Sequence, residues 1–356
     1  AVVYAVGTPD DRRLDIEGMG LPGTGSATET VAWINGHPSF ADIPIDLGHE
    51  RVVVIGNGNV ALDVARILTA DPESLAATDI SDAALEILRH SAVREVVVAA
   101  RRSPADSAFT LPEMIGLTGT AAVVLDAGDR ALVEADLAIA TDPVVRSKLE
   151  ILAGLPDAAA AAGRPRIRLA YRLTPHRITG SHCVAGIEFR RTGTAEPVTL
   201  DAGLVLTSIG YRGKPIAGLP FDESAAVVPN TDGRVIDPVT GRPVTGVYVA
   251  GWIKRGPSGF IGTNKSCSMQ TVAMLVEDFN AGYLTEPTGN SAALRRLVRN
   301  RRPEVVDAAG WQAIDAAEVA RGEPAGRPRV KFTAVDEMVA AAAASTAHRR
   351  RRRLRF

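Results

Sequence analysis

The 356-residue chain carries a formal net charge of −1 and is 46% hydrophobic. A single core rarely grows past about 250–300 residues, so two domains are expected, and the balanced charge gives no general reason to expect nucleic acid or a membrane surface. Only Cys183 and Cys267 occur, far apart and without C-x-x-C spacing; this excludes a disulfide framework, a cysteine-ligated cluster and a redox dithiol, and fits a reducing cytoplasm. No apolar run is long enough to span a bilayer, and no metal-ligating set is read.

In chain order, Ala1–Gly7 begins at once as a buried strand. Such a strand needs partners on both sides, so the sequence is expected to be a fragment with residues missing upstream. Asp10–Pro22 reads as a loop, Thr28–Asn35 as a short helix and Gly36–Gly48 as a linker. The stretch from Arg51 to Asp63 then gives an apolar strand, a turn with Gly56, Gly58 and Ala61 in G-x-G-x-x-A spacing, and a patterned helix through Leu68. Asp71–Ser91 inserts polar turns and a short helix at Asp82–His90, and Val93–Ala100 is a second parallel-type strand ending in Arg101 and Arg102. A helix is expected within Asp106–Gly119, with Pro112 in its first turn, and another at Val144–Leu155. Ala158–Ala162 with Gly163–Pro165 reads as a surface loop. Ile167–Leu173, Val184–Phe189 and Pro197–Leu200 suggest strands of a β-meander, followed by buried strands at Leu204–Gly210 and Val247–Gly251. Ser266–Asn280 is patterned as a long amphipathic helix, and the like-charge run Arg349–Arg353 reads as a disordered tail. His37, His49, His176 and His182 have no matched partner spacing and receive no role.

The glycine turn carries the chemistry. Its first glycine allows a sharp turn, and its second lets backbone approach a pyrophosphate. The small third residue lets helix and strand pack closely, while the helix N-terminus faces the phosphates with free N–H groups. An NAD site usually has an acidic residue on the ribose hydroxyls at the end of the next strand. Here Arg101 and Arg102 stand there instead, able to clamp a dianionic 2′-phosphate. The reading is NADP(H) over NAD(H), the competing one a solvated loop. In the block Gly251–Gly262, four glycines surround Pro257, so backbone must come close to something flat. N–H groups at Phe260 and Ile261, near the start of a helix, would stabilise negative charge on it.

Four stretches together resemble the adrenodoxin-reductase type of ferredoxin–NADP reductase: Gly56–Asp63, Ala100–Pro104 with Ala108–Thr110 and Glu113, Ser208–Gly213, and Ala250–Lys265. The resemblance runs from Ala1 to about Phe332 and is closest to the actinobacterial variety with a ferredoxin domain fused upstream. Trp252 stands where most two-dinucleotide flavoenzymes carry an aspartate; that residue and the missing C-x-x-C separate the chain from the thioredoxin-reductase and glutamate-synthase types.

The resemblance implies an α/β, two-dinucleotide-binding-domain flavoprotein (Rossmann-like, a parallel sheet plus a β-meander) whose FAD domain is incomplete. Residues 1–9 would be the last strand of the N-terminal part of the FAD domain. Residues 10–208 would form the NADP domain, 209–335 the C-terminal part of the FAD domain and 336–356 the tail. It further implies that Asn57, Gly58, Asn59 and Val60 hold the pyrophosphate, that Arg101 and Arg102 hold the 2′-phosphate, and that Glu113 lies near the nicotinamide. The second carboxylate common one turn later is replaced by Gly116. Trp252, Gly259, Phe260 and Ile261 would contact FAD, with Gly259 touching NADP as well, and Lys254 and Arg255 would face an acidic ferredoxin. The expected activity is electron transfer between NADPH and a ferredoxin-type iron–sulfur protein through FAD. The alternative is an NADP(H)-binding fragment without turnover.

Overall fold

The computed structural model describes residues 1–158, 163–259 and 261–353. The chain divides into two compact units. One is Ala1–Arg12 with Gly210–Pro303; the other is Arg13–Ile209 with the chain from Glu304 onward.

The second unit is built on a six-stranded sheet in the order Thr24–Ser26, Leu204–Thr207, Arg51–Ile55, Glu95–Ala99, Arg166–Ala170, Ala122–Leu125. Every pairing in it is parallel. Parallel strands buried on both faces read as unbroken apolar runs, as Val52–Ile55 and Val96–Ala99 do. Alternate residues serve different layers. Val52, Val54, Val96 and Val98 join a core with the helices Asn59–Thr69, Asp82–Arg89, Leu111–Thr120 and Pro143–Ala153. Val53, Ile55, Val97 and Ala99 join a second core with the meander strands Leu173–Thr179, Gly186–Arg191 and Pro197–Asp201. A meander is present and antiparallel throughout, but its first strand is Leu173–Thr179. The expected meander strand Ile167–Leu173 instead lies, as Arg166–Ala170, in the parallel sheet, where its residues are buried on both faces.

Helix starts follow local chemistry. Ser26 and Glu29 form a reciprocal capping box at Ala27–Ile34. Ser81 caps Asp82–Arg89, and Asp142 caps Pro143–Ala153 with proline in its first turn. Within the expected Asp106–Gly119 helix, Pro104–Asp106 is a single 3₁₀ turn and the helix starts at Leu111, with Pro112 in its first turn. Helices at Ala127–Ile139, Ser291–Arg301 and Ala308–Gly322 and a strand at Ala122–Leu125 were not expected from the sequence. Within the expected surface loop, 159–162 lie outside the described residues.

The first unit has a four-stranded sheet in the order Val2–Tyr4, Pro243–Val249, Arg234–Ile236, Asn230–Thr231. Val2–Tyr4 pairs in parallel with Pro243–Val249 and, among the described residues, with no other strand. Val2 and Val3 are 53% and 43% exposed. The long helix starts at Ile261 rather than Ser266 and runs to Asn280. Its Met269, Val272, Val276 and Phe279, spaced three and four apart, are all exposed.

Two expectations at the C-terminus are corrected. Residues 304–335 do not continue the unit that Gly210 begins; they pack on the larger one, where Arg327 Nε donates to Thr78 O (3.0 Å), its other nitrogens bond Ile80 O and Asp82, and Lys331 Nζ meets Asp79 at 3.1 Å. The expected disordered tail is helical along Val335–Arg353. Alanines allow this: an added Cβ at Gly310 would lie 3.1 Å from Ala342 Cβ, so the Ala308–Gly322 helix lies close beside it. Among the described residues no helix is long and apolar enough to cross a membrane.

Candidate dinucleotide site

Gly56 leaves the Arg51–Ile55 strand with φ +115°, and a Cβ there would lie 2.1 Å from Ser208 O. No other residue fits. Gly58 is the N-cap of Asn59–Thr69 in an extended conformation, with no side-chain cap bond, and nothing lies within 4 Å of where its Cβ would be. The first N–H groups and the positive end of the helix dipole therefore face open space, as a pyrophosphate requires. The asparagine side chains work elsewhere. Asn59 Oδ1 accepts from Thr110 N (2.8 Å) and Asn57 Oδ1 from Ala108 N (3.3 Å). They tie the turn to the segment that enters Leu111–Thr120.

Arg101 and Arg102 follow the C-terminal end of Glu95–Ala99, and both are exposed. Their backbone is pinned: Thr192 Oγ1 donates to Arg101 O (2.9 Å), and Arg172 N donates to Arg102 O (3.1 Å). Arg102 has Asp106 only at 3.9 Å, a loose exposed pair. Behind this platform the buried Asp129 accepts from Tyr171 N at 2.9 Å. Burial pushes its carboxyl up to about 6, against the Tyr171 hydrogen bond and the Arg168 charge.

Glu113 lies half-buried in the first turn of Leu111–Thr120 and lines a cleft of about 280 Å³ with Asp63, Arg66, Gly116, Leu117 and Thr120. Asp63 went unassigned in the sequence reading; its place on the fingerprint helix, one turn from its ion-pair partner Arg66 (3.0 Å), was the available signal. A larger cleft, about 990 Å³, opens where the parallel strands begin, near Arg51, Glu95 and Arg166. Ligands of such sheets bind at the opposite, carboxyl ends. There Glu95 is structural. Burial alone would raise its carboxyl, but the Arg168 charge and hydrogen bonds from Arg51 and Arg166 hold it below the usual range.

In the other unit Gly251 (φ +75°) caps the short helix Trp252–Arg255, and Gly256 and Gly259 also have positive φ. Trp252 stacks on Tyr211, with centroids 5.5 Å apart. Its buried Nε1 has no hydrogen-bond partner among the described residues, and neither does Arg255 Nε. Buried donors are rarely left unpaired. This segment therefore suits a flat, acceptor-rich group such as FAD. Phe260 lies outside the described residues, and Ile261 opens the long helix. The expected ferredoxin-facing role of Lys254 is corrected. Lys254 is 9% exposed, with Nζ donating to Gln270 Oε1 (2.8 Å) and Thr271 Oγ1 (3.2 Å). Arg255 is bound to Ser258 and Asn264. One helical turn directs the Lys254 stem into the interior, while the half-exposed Arg255 lies against the glycine loop.

No protein-family model matches the chain. It is 69% identical over 344 residues to the probable ferredoxin/ferredoxin–NADP reductase of Mycobacterium tuberculosis, an alignment spanning 96% of this chain and 60% of that protein. Identity is 41% to the NADPH-ferredoxin reductase FprA of Mycobacterium tuberculosis, over 95% of this chain and 77% of the relative. It is 38% to the mitochondrial NADPH:adrenodoxin oxidoreductase of Bos taurus, over 95% and 73%. The structure of Mycobacterium tuberculosis FprA in complex with NADPH superposes with a TM-score of 0.87 at 38% identity, covering 96% of this chain and 78% of that one. The glycine turn, the meander and the Trp252 loop thus stand in a fold shared with these relatives: the chain belongs to the family of adrenodoxin-reductase-type ferredoxin–NADP reductases, flavoproteins with two dinucleotide-binding domains.

Proposed function

We propose that this protein transfers electrons between NADPH and a ferredoxin-type iron–sulfur protein. The observation that carries the reading is the exposed Arg101–Arg102 pair at a strand end, beside the open helix N-terminus at Gly58. Asn57, Gly58, Asn59 and Val60 would hold the pyrophosphate, chiefly through backbone N–H groups, and the arginines the 2′-phosphate. Glu113, on the cleft wall with Asp63, is the candidate to orient the nicotinamide end. Trp252, Gly259, Phe260 and Ile261 would hold FAD, Trp252 through its unsatisfied indole N–H. When bound, FAD accepts a hydride and passes electrons singly to the iron–sulfur partner. That partner is separate or fused upstream; the double name of the 69% relative favours fusion. Two cysteines without a disulfide support a reducing, cytoplasmic setting.

The exposed Val2–Tyr4 edge and the apolar stripe on Ile261–Asn280 favour a second reading for this chain by itself: an NADP(H)-binding module without turnover, its FAD site incomplete. Purification of the full-length protein tests the first reading. A yellow product that reduces ferricyanide or a ferredoxin with NADPH is expected; a colourless product without that activity contradicts it. The 356-residue chain purified with a flavin absorbance band would reject the second reading.

A further inference from the structure

We infer that Arg172 is a third cation of the 2′-phosphate site and contributes to the choice between the two nicotinamide coenzymes. This rests on the reading of Arg101 and Arg102 given above. Sheet register brings the three together. Ala99 stands opposite Ala170 in the parallel pair Glu95–Ala99 and Arg166–Ala170. Arg101–Arg102 and Arg172 therefore leave neighbouring strands at the same carboxyl edge, where sheets of this kind bind nucleotides.

The backbone laces them further. Arg172 N donates to Arg102 O (3.1 Å), and Leu173 N to Ala100 O (2.9 Å). Thr192 bridges both sides, its N donating to Arg172 O (2.7 Å) and its Oγ1 to Arg101 O (2.9 Å). Any shift of the Arg172 peptide moves the other two arginines.

The residue type is what needs explaining. Arg172 has φ +55°, a left-handed conformation that disfavours side chains with a Cβ and that glycine or asparagine would adopt more easily. A purely structural turn gains nothing from arginine here, and such strain clusters at functional sites. Tyr171 and Leu173 on either side are buried, and Asp129 anchors the Tyr171 peptide N–H (2.9 Å). Arg172 itself is exposed, and among the described residues its guanidinium has no hydrogen-bond or ion-pair partner. A charged group held by a strained, over-determined backbone beside two like charges suits a dianionic phosphomonoester, which gains from each added guanidinium.

Calorimetric titration of NADP+ and NAD+ into the purified chain tests this, comparing the unsubstituted protein with Arg172→Asn, Arg172→Lys and the Arg101→Ala/Arg102→Ala double variant. Asparagine tolerates the left-handed backbone and keeps the peptide hydrogen bonds, so only the charge is removed. Arg172→Asn is expected to weaken NADP+ by about tenfold and leave NAD+ unchanged, with partial recovery in Arg172→Lys. Full NADP+ affinity in Arg172→Asn, alongside lost preference in the double variant, overturns the role of Arg172 and leaves the pair's role intact. Equal weakening of both coenzymes by Arg172→Asn marks a structural turn and also overturns it. Unchanged preference in the double variant removes the reading beneath it. Should Arg172→Asn fail to fold, Arg172→Gly, which relieves the backbone strain, carries the same comparison.

Discussion

At Gly56 a methyl group would sit 2.1 Å from the Ser208 carbonyl oxygen on a backbone with φ +115°. Gly56→Ala is therefore expected to cost more than about 2 kcal/mol and to abolish coenzyme binding, read by thermal melting and titration; a folded variant with native affinity would contradict the turn's role. Asp129 supplies a test in pH. Its carboxyl is raised from 3.8 to about 6 in the folded state, so between those values only the folded state holds the proton. Stability from this group thus falls as pH rises through about 4 to 6, and at neutral pH its ionisation costs on the order of 3 kcal/mol. Asp129→Asn should flatten that part of the stability profile and raise stability at neutral pH, provided the amide oxygen keeps the Tyr171 N–H. Parallel urea-denaturation profiles for the two proteins would refute the assignment. Residues of this kind mark what sequence reading reaches. The glycines and the two arginines were legible because their chemistry is local. The burial of Asp129 and Lys254 was not, because tertiary packing decides where a charged side chain ends.

At the scale of elements, the apolar strands were readable as runs, but their division between two layers emerges only from the sheet. Phe189, fully buried in the meander core, tests that division. Phe189→Ala should lower stability by about 3–5 kcal/mol in urea denaturation, through lost burial and the cavity left behind; a loss below about 1 kcal/mol would mean the meander packs loosely. Helices with a cap and a clear apolar face, such as Asp82–Arg89 and Pro143–Ala153, were found within a residue or two. Ala127–Ile139 was missed because its apolar positions are small or irregular and its buried face includes a carboxylate. Ser291–Arg301 buries no residue, so it has no core-facing pattern to read.

At the scale of the molecule, the family resemblance correctly anticipated a two-dinucleotide fold and its meander, but not the path of the chain after Pro303. No periodicity announces that Arg327 crosses to the carbonyls of Thr78 and Ile80. Arg327→Ala should destabilise the larger unit by about 1 kcal/mol, since a part-buried acceptor loses its donor, and leave coenzyme preference unchanged; an unaltered melting temperature would contradict that anchoring. The functional account rests on a charge pair at one strand end. The most direct measurement is the affinity of Arg101→Ala/Arg102→Ala for NADP(H) and for NAD(H). The account predicts that NADP(H) binding weakens by about 100-fold or more while NAD(H) binding holds, so that the preference collapses; an unaltered preference would contradict it.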